Sequence, residues 1–77
     1  MSEADRVRWH CRRGLLELDL ILGRFMDRYY DGLDDEARSS FRELLTRPDN
    51  DLLDWALGRS EPGEKRHQRI VELLRSA

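Results

Sequence analysis

Leu15, Leu18, Leu22, Phe25 and Tyr29 recur at alternating three- and four-residue steps, and Ile21, Met26 and Tyr30 widen the stripe. That spacing follows the 3.6-residue period of an α-helix and runs one apolar band along it. Extending to about Tyr30, the helix would be about 24 Å long, enough to cross a small domain. The chain has only 77 residues, so everything else must be short elements packed on this one. A chain of that size buries roughly 60% of the surface its unfolded form exposes, which predicts a single domain, 1–77, with a small core and modest stability.

The flanking segments read as helices too. Ser2 followed by Asp5 resembles a capping box before a helix over about 3–12, with Val7 and Cys11 on one face and Trp9 and His10 elsewhere. Gly14 is the expected stop, and Gly23, inside the long helix, is expected to mark a close helix contact. Gly32 ends the long helix, and Asp34 is a natural N-cap for a third, with Ala37, Phe41, Leu44 and Leu45 on its buried face. Pro48 stops it. Asp49 or Asn50 is expected to cap a short fourth helix that buries Leu52, Leu53, Ala56 and Leu57, carries Trp55 on its flank and closes at Gly58. A fifth helix follows the Ser60–Gly63 linker and buries Ile70, Val71, Leu74 and one face of His67. No segment alternates with a two-residue period, so the predicted class is all-α, a compact bundle of five short helices with the second the longest.

Charge is unevenly placed. Arg6, Arg8, Arg12 and Arg13 outnumber Glu3 and Asp5 at the start, whereas residues 31–54 carry eight acids against three arginines. The net charge of -2 argues against general nucleic-acid affinity, and the arginines beyond the N-terminal cluster are dispersed among acids. Thirteen of the fourteen basic residues are arginine, which suits planar, bidentate protein contacts. Cys11 is the single cysteine, so no intrachain disulfide can form and a reducing compartment is expected. No apolar run approaches the ~18–20 residues of a membrane span, and no secretory signal is legible. These features predict a cytoplasmic monomer without membrane insertion.

The segment richest in implied chemistry is Arg12-Arg13-Gly14-Leu15-Leu16-Glu17-Leu18-Asp19. It can be read as a helix junction, with Gly14 as the cap, Glu17 reaching back to an orphan amide and Arg13 pairing with Glu17 four residues on. It can equally be read as a small recognition patch. Gly14 brings bare backbone to the surface, opposite charges flank it, and Trp9, Arg12 and Asp19 crowd the same corner. The residues leave both readings open. His10, Cys11 and His67 lack zinc-site spacing, Ser39, Ser40, Thr46 and Cys11 lack a base at motif spacing, and no glycine-rich phosphate loop exists. The chain is expected not to be an enzyme.

Together with Phe25, Tyr30, Leu44-Leu45, Asp49, Asp51, Leu52 and Trp55, this octapeptide resembles the bacterial succinate dehydrogenase assembly factors, the FAD assembly factor family marked by Arg-Gly-x-x-Glu. The resemblance spans about Arg6 to Leu74. It implies a five-helix chaperone that binds the flavoprotein subunit of succinate dehydrogenase, and of fumarate reductase, and promotes covalent attachment of FAD. The flavin is then the partner's, with no cofactor held stably by this chain. Carried over residue by residue, the docking surface is Arg13, Gly14 and Glu17, with Arg12, Trp9 and Asp19 beside them. The competing reading, prompted by the split charge, is a small antitoxin-like regulator that binds a toxin or nucleic acid.

Overall fold

The capping box forms as the sequence predicts. In a computed structural model, which describes residues 2–77, the Asp5 amide donates to Ser2 Oγ at 3.1 Å and the Ser2 amide donates to Asp5 Oδ2 at 3.3 Å. They open α1 (Glu3–His10), which turns Val7 inward and ends at Cys11, short of Gly14. The long helix is α2 (Leu16–Arg28); it buries Leu18, Ile21, Leu22, Phe25 and Met26. At 13 residues it is shorter than the stripe suggests, because Tyr30–Gly32 tighten into a single 3₁₀ turn that keeps Tyr30 buried after the α-helix has ended. Leu15 is also lost from the stripe: it sits at the N-cap, half exposed.

Asp34 caps α3 (Asp35–Leu44), its Oδ1 accepting from the Ala37 amide at 2.8 Å. The cap of α4 (Asp49–Ala56) departs from expectation. Pro48 occupies the N-cap and Asp49 is the first helical residue, a position where the missing proline N–H costs nothing and the Asp49 carboxylate is free for other use. The end of α4 is a Schellman motif: Gly58, at φ +78°, donates to the Trp55 carbonyl and Arg59 donates to the Asp54 carbonyl. Then α5 (Lys65–Ser76) buries Ile70, Val71 and Leu74. His67 is largely covered, with Nε2 3.3 Å from Glu43. Trp55 is buried rather than flanking, and Leu57 is partly exposed.

The described residues form five α-helices and one 3₁₀ turn, with no strand. The fold is all-α. Helix α5 packs against α2, α3 and α4, and α2 also packs against α4. Phe25 stacks on Phe41 with ring centroids 4.3 Å apart, and Tyr30 tilts against Phe41 at 5.9 Å. Such aromatic pairs add roughly 0.5–1.5 kcal/mol beyond the area they bury. The start of α1 is tied across the bundle, where Glu3 accepts from the Tyr30 hydroxyl at 2.9 Å and from Arg42. Gly23 faces open space: a Cβ built there meets nothing within 4 Å, so the predicted close helix contact is absent.

Candidate functional site

The connection from α1 to α2 is five residues, Cys11 to Leu15, and its shape is set by one carboxylate. Asp19, in the first turn of α2, accepts from the Arg13 amide at 2.8 Å and from the Gly14 amide at 3.2 Å. Two successive amides converge on one carboxylate because Gly14 lies at φ +86°, a left-handed conformation that costs other residues about 1–2 kcal/mol. Asp19 therefore fills the role the sequence assigns to Glu17. An acid in the first turn also complements the positive end of the α2 dipole.

Arg13 points inward. Its Nε donates to Asp49 Oδ1 at 2.7 Å, Nη1 to the Leu45 carbonyl at 2.7 Å and Nη2 to the Arg47 carbonyl at 2.8 Å. A longer contact runs from Nη1 to the His10 carbonyl at 3.4 Å. Leu45 and Arg47 follow the C-terminal end of α3, where carbonyls lack helical partners and the dipole favours a cation. The expected Arg13–Glu17 pair does not form. Glu17 is exposed and makes no hydrogen bond or ion pair among the described residues.

Trp9 and Arg12 lie on the outer side of this junction, the Arg12 guanidinium 5.6 Å from the Trp9 ring centroid. Arg12, Gly14, Leu20 and Gly23 share the lining of a shallow groove between α1 and α2. Cys11 also borders it but is itself buried, and that burial pushes its thiol up to about 12 despite the opposing pull of Arg8 and Arg13. Burial thus favours the protonated thiol of Cys11 at neutral pH. Among the described residues no group of three His, Cys, Asp or Glu side chains could hold a metal ion, and no helix is long and apolar enough to cross a membrane.

Residues 5–77 match the family model described as Sdh5, flavinator of succinate dehydrogenase. The chain belongs to this family. Among its relatives, the FAD assembly factor SdhE of Pseudomonas aeruginosa is 41% identical over 73 residues, covering 95% of this chain and 87% of the relative. SdhE of Legionella pneumophila is 42% identical over 74 residues, 96% of this chain and 92% of the relative. SdhE of Pectobacterium atrosepticum is 35% identical over 76 residues, 99% and 86%. The resemblance to the succinate dehydrogenase assembly factors holds, and the antitoxin-like alternative is not favoured.

In this flavinator-family chain the six candidate residues fall into two sets. Trp9, Arg12, Gly14 and Glu17 face outward, while Arg13 and Asp19 turn their polar atoms to the protein's own backbone and to Asp49. The sequence reading misses two neighbours, Leu16 and Leu20, which are 77% and 52% exposed. Their signal was available: four residues apart and half a turn off the buried stripe, they place apolar surface where a solvated helix carries charge.

Proposed function

We propose that this chain is a non-catalytic chaperone that docks, as a monomer in the cytoplasm, on the flavoprotein subunit of succinate dehydrogenase and promotes its covalent flavinylation. The same role extends to the fumarate reductase flavoprotein. The observation that carries the reading is the family match along residues 5–77, and the α1–α2 corner supplies a surface suited to it. Gly14 lacks a Cβ, and a Cβ built on it meets nothing within 4 Å, so a partner can approach the backbone closely. Trp9, Leu16 and Leu20 offer apolar anchors around it. Glu17 adds a charge one turn away, which fixes orientation more than affinity.

On this reading the flavin bond forms on the partner, and FAD is held by the flavoprotein. The chaperone contributes by binding one flavoprotein conformation more tightly than others, which raises the population competent for attachment. Covalent flavin fluoresces in denaturing gels, so extracts of cells with and without the gene provide the test. The fluorescent band at the flavoprotein should fall severalfold without the gene and return on complementation. An equally bright band in both extracts would refute the reading.

A further inference from the structure

We infer that Arg13 acts on the partner through Asp49 rather than by touching it: Arg13, Asp19 and Asp49 are positioning residues that hold Gly14 and Glu17 in the docking conformation. The inference rests on the docking reading above. The guanidinium has five N–H groups, and its contacts to Asp49, Leu45, Arg47 and His10 leave one uncommitted. The side chain is 17% exposed, so an incoming carboxylate finds a single free N–H, and a bidentate contact requires displacing Asp49 or a carbonyl.

The two ends of Arg13 do different work. The side chain anchors to the α3–α4 turn, and the amide, with that of Gly14, anchors to Asp19 on α2. Gly14 is thereby held in its left-handed conformation between two fixed points, and Glu17 follows within the first turn of the helix that Asp19 secures. The corner's geometry then depends on a residue 36 positions away in sequence. Planar arginine fits this use, because its donors spread over three nitrogens that each meet a separate acceptor, whereas a lysine's three donors share one nitrogen. A pre-set corner binds without the ordering cost of a loose one.

The test uses purified protein, flavin-free flavoprotein subunit and FAD, and reads the chaperone concentration that gives half-maximal flavinylation. Asp49→Ala should raise it about tenfold with the plateau rate unchanged, and Arg13→Ala should do the same. The double variant should be no worse than either single, since both break one link. Arg13→Lys keeps the charge, perturbs folding less and carries the same expectation, while Asp49→Asn, which retains the acceptor oxygen, should restore most of the affinity. The Gly14 amide resonance should move in Asp49→Ala. Val71→Ala, a core change on α5, which makes no hydrogen bond to the corner, should lower Tm but move neither readout. Wild-type behaviour of Asp49→Ala beside a defective Arg13→Lys would show that Arg13 touches the partner and overturn the inference. Equal defects in Val71→Ala and Asp49→Ala at matched Tm would overturn it as well. Glu17→Ala separates the two claims: if it loses activity while Asp49→Ala does not, only the positioning role fails, and if Glu17→Ala is fully active the docking reading itself fails.

Discussion

Arg13 and Glu17 belong to one sequence motif and to two different jobs. Arg13 joins the turn after α3 to the first residue of α4, whereas Glu17 stands in solvent. Half of this was legible in the sequence. Gly14 reads correctly as a residue that must leave the right-handed region, and its outward exposure follows from the same turn. The identity of the carboxylate that holds it was not legible. Glu17 and Asp19 both lie within reach of the junction, and which one turns back depends on where α2 begins. Nor could Arg13 be assigned an inward direction, because two of its acceptors are main-chain carbonyls more than thirty residues away, and carbonyls carry no sequence signal. Stability distinguishes the two residues. Arg13→Ala should lower unfolding free energy by about 2–3 kcal/mol, since it strands Asp49 and several carbonyls, while Glu17→Ala should stay within about 0.5 kcal/mol. Urea denaturation of the two variants checks this.

At the scale of elements, the apolar stripe located α2 and the capping signals located α1 and α3. The ends were harder. Tyr29 and Tyr30 continue the stripe in sequence, yet the chain tightens to a 3₁₀ turn at Tyr30, so apolar spacing outlasts the α-helix. Pro48 takes the cap expected of Asp49 or Asn50 because its fixed φ suits the extended residue that precedes α4. Gly23 and Gly58, one inside a helix and one just past a helix end, show why placement decides a substitution. Gly58 closes α4 at positive φ, whereas Gly23 sits mid-helix with open space where a side chain would go. Gly23→Ala should therefore stabilise the protein by up to about 1 kcal/mol, with Gly58→Ala destabilising it by about 1 kcal/mol. Thermal melts followed by circular dichroism, compared with wild type, report both signs.

For the whole molecule, the bundle measures 34 × 26 × 21 Å, small enough that one junction can tie most of its helices together. The ends of four helices converge on the Arg13 junction: α1 through the His10 carbonyl, α2 through Asp19, α3 through the carbonyls after it and α4 through Asp49. A corner built this way is held by the packing of the bundle behind it. The outward residues of this corner are proposed to dock on the flavoprotein. The most direct measurement is the time course of covalent flavin appearing on purified flavoprotein supplied with FAD, comparing wild type with Glu17→Arg at equal concentration and matched Tm. Glu17→Arg should slow the reaction at least tenfold while remaining fully folded, as expected when a charge is reversed at an interface. A Glu17→Arg time course superimposable on wild type would contradict it.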